Sequence, residues 1–163
     1  MSEQKIFFPA KEAFEEFSGE ERKIRGVCKR RVYNIGNAVL YDCYLDPTLQ
    51  EGYSHLYGLE ILMLQRGDIE AILWDNEVKS FRLKKPGDMI VFLPSQKHTL
   101  FVRRKSHAII IKNIIAEENP IERIKTPLPS GLQEVRNKLL AGEGKKKLLR
   151  QAEKILLEQI SPK

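Results

Sequence analysis

Histidine, cysteine, tryptophan and long apolar runs are all scarce in this sequence. Its 163 residues include three histidines, two cysteines and one tryptophan. No apolar stretch approaches the roughly 18 residues that a membrane-crossing helix needs, so no membrane partner is expected. Cys28 and Cys43 are too few for a disulfide framework and lack the CxxC spacing of a zinc or redox site, so both read as reduced thiols. The opening residues MSEQKIFFPAKEAFEEF lack a basic start followed by an apolar stretch, and the expected location is the cytoplasm. There is no glycine-rich phosphate loop, no GxSxG elbow and no histidine close in sequence to a cysteine, which argues against nucleotide-dependent and serine- or cysteine-nucleophile chemistry. The formal charge of +6 is spread, with −1 over residues 1–25, +4 over 26–115 and +3 over 116–163. Only Lys29-Arg30-Arg31, Arg103-Arg104-Lys105 and Lys145-Lys146-Lys147 cluster, without interleaved aromatics, so nucleic acid is not an expected partner.

With 42% hydrophobic residues there is enough apolar material for one core. Residues 1–25 read as a helical extension, with Phe14 and Phe17 at i, i+3 spacing between Pro9 and Gly19. From residue 26 to 115, short runs of Val, Ile, Leu, Tyr and Phe alternate with Gly, Pro, Asn and Asp every eight to twelve residues or so, the pattern of an antiparallel barrel or sandwich. About eight strands are expected: 27–33, 38–45, 59–65, 69–74, 79–83, 89–93, 99–103 and 107–114. Residues 116–163 read as an extended, proline-bearing linker and two helices. Ser130 would cap the first, whose Leu132, Val135 and Leu139 share a face, and Leu148, Ala152, Ile155 and Leu156 form the apolar stripe of the second.

Chemistry concentrates in Tyr53-Ser54-His55-Leu56-Tyr57-Gly58-Leu59-Glu60, in Gly67, and in the stretch from Gly87 to His98. Here the chain resembles the cupin family. That family's first motif has two histidines one residue apart, then a glutamate after three or four intervening residues, and a glycine seven beyond the glutamate. Its second has a glycine followed eleven residues later by a histidine. His55, Glu60 and Gly67 fall on the first motif and Gly87 and His98 on the second, whereas Tyr53 stands where the family has its first histidine.

The resemblance implies an all-β, cupin-type antiparallel barrel (jelly roll) with short helical extensions at both termini. It also implies a divalent metal ion (Mn, Fe, Ni or Zn) held by His55, Glu60 and His98. Two imidazoles and a carboxylate can hold such an ion at about 2.0–2.2 Å and leave positions open. Tyr53, the candidate catalytic residue, would sit beside the open position as a phenolate ligand or a hydrogen-bond donor. The implied function is metal-dependent action on a small polar metabolite such as a sugar or carboxylic acid. The alternative is a metal-free cupin barrel that binds a small ligand or serves as a dimerisation module. Tyr41, Tyr44, Tyr57 and Trp74 are candidate mouth aromatics, Arg66 and Lys97 candidate anion partners, and His107 reads as a surface histidine. Sheet edges and the stripe of the last helix, both needing cover, make a homodimer the expected assembly.

Overall fold

The computed structural model describes residues 14–113 and 123–160. Its elements are β1 (Glu15–Glu16), α1 (Gly19–Arg25), β2 (Val27–Ile35), β3 (Ala38–Leu45), β4 (Thr48–Leu49), β5 (Gly52–His55), β6 (Glu60–Trp74), β7 (Val78–Leu83), β8 (Met89–Phe92), β9 (His98–Asn113), β10 (Arg123–Thr126), α2 (Leu132–Leu140) and α3 (Lys145–Ile160). Every strand pairing is antiparallel. The architecture is the expected all-β one with short helices at its ends, but the hydrogen-bonded ladder stays open. Among the described residues, both β7 and β8 pair only with β6, and β10 pairs only with β5.

β9 is the spine. Its C-terminal half lies between β3 and β6, and its N-terminal half between β6 and the short strands β4 and β5. The strict alternation of β3 explains its seat, because Val39, Tyr41, Cys43 and Leu45 turn inward and are buried while their neighbours stay partly exposed. A two-residue turn at Gly36-Asn37 joins β2 to β3, with Gly36 at φ 56°.

The eight expected strands differ from the observed ones in two places. Runs 59–65 and 69–74 merge into one strand, β6 (Glu60–Trp74), and run 99–103 fuses with run 107–114, described as far as Asn113, into β9. The polar residues at Arg66-Gly67 and Arg104-Lys105, read as breaks, sit where the β6–β9 register shifts and both strands bend. Gly67 takes φ +124°, and a Cβ there would lie 2.1 Å from Ser106 Oγ. Only glycine lets the strands approach this closely.

The N-terminal helix also differs. Residues before 14 lie outside the described ones, but Phe14–Phe17 is not helical; Glu15 and Glu16 pair with β2, and the helix begins at Gly19, where it was expected to end. Two phenylalanines at i, i+3 are too few to set a period, and Phe17 instead buries itself with its N–H on the Cys28 carbonyl. Similarly, Gly131 rather than Ser130 occupies the N-cap of α2, and no side chain caps that end.

Two apolar clusters hold the molecule together. One fills the barrel with Leu45, Leu62, Leu64, Phe92, Leu100 and Val102. The other lies outside it, where Leu49, Ile72 and Phe101 meet Leu132, Val135, Leu148, Ala152 and Leu156 of α2 and α3. Each fully buried leucine of this kind contributes about 1.5–3 kcal/mol. The stripe of α3 is therefore covered by its own chain and does not call for a second subunit. The buried Arg136 of α2 adds a polar anchor, donating to the carbonyls of Leu49 at 2.7 Å and Ile24 at 3.4 Å. No helix among the described residues is long and apolar enough to cross a membrane.

Candidate metal centre and its cavity

β5 ends at His55, β6 begins at Glu60 and β9 begins at His98, so three strand ends meet at one point. All three side chains are buried, and their candidate ligand atoms lie within 4.8 Å of one another. Tyr53 joins them through direct pairing of β5 with His98 of β9. The four residues that the sequence singles out thus stand together.

The His98 ring is held in place by stacking on Phe92, centroids 4.0 Å apart, and by the edge of Tyr53 at 4.6 Å. Its Nδ1 lies 2.8 Å from the Gln96 carbonyl. A carbonyl only accepts, so Nδ1 carries the proton and Nε2 keeps a lone pair. That Nε2 is buried without a hydrogen-bond partner, as is Glu60 Oε1. Two buried acceptors left open beside a third candidate ligand are what a cation site requires and what a packed core avoids. The donor set fits a divalent ion.

Glu60 Oε2 carries the remaining contacts: His55 Nε2 at 3.2 Å, the Tyr53 hydroxyl, which donates at 3.4 Å, and the Lys112 ammonium at 3.3 Å. Burial alone would raise the Glu60 pKa, but Lys112 and the two imidazoles outweigh it and hold the carboxyl well below the usual carboxylate range. Burial, reinforced by the Glu60 charge, pushes the Tyr53 phenol up to about 12. Tyr53 is therefore a protonated donor at neutral pH. Burial also lowers the His98 pKa, against the opposing pull of Glu60.

Above this floor opens a cavity of about 630 Å³ that reaches Tyr41, Tyr53, His55 and Lys112. Lys112 was not singled out from the sequence. The signal was present, since Ala108 and Ile110 point inward along β9 and a period of two carries Lys112 to the same side, opposite Glu60. The other candidates scatter. Trp74 packs towards α2 and α3, Tyr57 is 70% exposed, and Lys97 lies 3.8 Å from Asp75. Tyr44 stacks on His107, which is only part-buried and bonds Asp42 at 2.5 Å. Arg66 is exposed. A second cavity, about 420 Å³, lies beside Leu73, Phe81, Leu83 and Ile90 and includes none of the four site residues.

No protein-family model matches the sequence, and no curated protein matches it. Solved structures do match. The capsular polysaccharide assembling protein CapF from Staphylococcus aureus superposes with a TM-score of 0.56 at 10% identity, over 69% of this chain and 34% of that one. KdgF from Halomonas sp. does so with a TM-score of 0.50 at 17% identity, over 62% of this chain and 84% of that one. A cupin-2 domain containing protein from Shewanella frigidimarina gives 0.46 at 15% identity, over 52% of this chain and 78% of that one.

Proposed function

From the cupin fold of this chain we propose that it is a metal-dependent cupin in which His55, Glu60 and His98 hold one divalent first-row ion, Mn, Fe, Ni or Zn, at the floor of the cavity. A small polar metabolite, such as a sugar or carboxylic acid, binds above them. The observation that carries the proposal is the pair of open, buried acceptors, His98 Nε2 and Glu60 Oε1. An ion there supplies a Lewis acid with exchangeable positions. Tyr53 is the proposed catalytic residue: its protonated hydroxyl reaches Glu60 and can donate to a bound oxygen at the open position. The setting consistent with two thiols is the cytoplasm.

One observation favours the metal-free reading. The Lys112 ammonium already lies 3.3 Å from Glu60 and supplies one positive charge where an ion would supply two. Elemental analysis of protein purified without chelator, with melting curves after adding each metal, separates the two. The metal reading predicts about one ion per chain and a raised Tm, both lost in His98→Ala. No stoichiometric metal and no shift with any of the four would leave the ligand-binding barrel as the function.

The proposal includes a homodimer, through a surface other than the α3 stripe. Tyr33, Leu40, Ile111, Ile61 and Val91 form a continuous row across β2, β3, β9, β6 and β8, with Ile109, Met63 and Met89 in the row beside it. All keep some exposure, Met89 59% of its surface. Five strands at about 4.8 Å spacing and about eight residues of length make a face of about 600 Å² before side-chain relief is counted. That approaches the roughly 800 Å² each partner gives to a stable interface, and its apolar centre suits a second copy of the same row. Light scattering should give about twice 18.9 kDa and the monomer mass for Met63→Lys; a monomeric native protein would refute the dimer.

A further inference from the structure

We infer that the C-terminal extension completes the ligand site, and that Arg123 and Lys125 of β10 select a small anion, carrying a carboxylate or phosphate, over a neutral sugar. The inference rests on the cavity above the floor being the place where the metabolite binds; it does not require the metal.

β10 docks on β5 with Arg123 opposite His55 and Lys125 opposite Tyr53. Residues directly opposed across an antiparallel pair share a face, so both cations stand on the side that carries the site residues. The Arg123 guanidinium lies over the Tyr53 ring, 4.2 Å from its centroid. Glu51 bridges the pair, with one oxygen 3.2 Å from Arg123 and the other 3.2 Å from Lys125. A single carboxylate shared between two cations leaves an excess of positive charge at the mouth.

Arg25 and Arg30 also line the cavity, and Lys112 lies deeper beside Glu60. Among the described residues the lining holds five cations, of which Lys112 is matched by Glu60, Arg30 pairs with Glu15 at 2.6 Å and Arg25 with Glu21 at 3.4 Å, so the excess rests with Arg123 and Lys125, which share Glu51. A concave surface with an excess of one sign focuses its field and concentrates counter-ions. A site for a neutral sugar needs acceptors as well as donors for the hydroxyls, and Arg and Lys side chains offer donors alone. Arg123 presents a planar fork suited to two oxygens of one carboxylate or phosphate, while Lys125, 78% exposed at the rim, acts as a mobile point charge. The cavity of about 630 Å³ falls in the range of small-metabolite pockets.

Calorimetric titration with malonate, inorganic phosphate and glucose tests this on chelator-treated and manganese-loaded full-length protein, with metal content measured on the same samples. The inference predicts one anion per chain, with no saturable glucose binding. Arg123→Gln should weaken the anion by about tenfold or more, Lys125→Gln by less, and the remote Lys79→Gln not at all. A preference for malonate identifies a carboxylate ligand and one for phosphate a phosphoryl ligand. Lys125 is exposed enough for its variant to fold even if Arg123→Gln does not. Glucose binding as tight as the anions, binding of neither anion, or anion affinity unchanged in Arg123→Gln and Lys125→Gln would overturn it. Anion binding intact in protein that takes up no metal would remove the metal proposal and keep this one. Stoichiometric metal with affinities indifferent to both β10 variants would do the reverse.

Discussion

The floor and the rim of the cavity are built by different principles. At the floor, His55, Glu60 and His98 are at most 2% exposed, wedged by Phe92 and Tyr53, and placed by the ends of three barrel strands. At the rim, Arg123 and Lys125 are exposed and ride on a four-residue strand that, among the described residues, pairs only with β5. Buried groups with open acceptors suit a resident ion that stays put. Exposed cations on an appended strand suit an exchanging ligand, and they can be altered without disturbing the barrel core. On the proposed reading, the ion belongs to the barrel and ligand selection to the extension.

Gly52→Ala should separate floor from rim most sharply. A Cβ at Gly52 would lie 2.6 Å from the Thr126 carbonyl and 2.8 Å from the Trp74 ring, so β10 must move. Overpacking of this kind costs about 1–3 kcal/mol. Urea unfolding should register that loss, and malonate or phosphate affinity should fall at least as far as in Arg123→Gln, while metal stoichiometry is kept. Loss of the metal along with the anion would mean that floor and rim form one unit.

Acidity acts on the floor alone, and more weakly. Burial, partly opposed by Glu60, leaves the His98 pKa below the ordinary 6.5. Between the two values the unfolded chain binds more protons than the folded one, so stability rises with pH across that window. Chelator-treated protein should therefore lose stability as pH falls through 6.5 towards the folded value, with no contribution from this group above it. His98→Gln should flatten that part of the profile. The rim's arginines and lysines keep their charge throughout. A profile unchanged by His98→Gln would show that the ring does not titrate as its burial requires.

The grouping of His55, Glu60 and His98 was legible through the resemblance to the cupin motifs, whose glycine positions fall here on Gly67 and Gly87; Gly67, inside β6, has a local reason of its own in its close approach to Ser106. The rim was not. Arg-Ile-Lys-Thr lies among prolines and reads as linker, because a four-residue edge strand carries too little alternation to be seen. Its importance comes from register with β5, a contact about 70 residues away in sequence. Lys112 was missed although Ala108, Ile110 and Lys112 alternate within the expected strand 107–114, because its place beside Glu60 comes from the β6–β9 register, which joins residues 52 apart in sequence. The helix assigned near Phe14 and Phe17 failed for the opposite reason, since two residues were asked to set a period that only tertiary contacts could decide.

The most direct test of the metal centre is an anomalous difference map from crystals of manganese-loaded protein, recorded above the manganese edge. The account predicts one strong peak per chain, within about 2.0–2.3 Å of His98 Nε2, a Glu60 oxygen and a His55 ring nitrogen. A map with no peak there, or with peaks only at surface carboxylates, would contradict it.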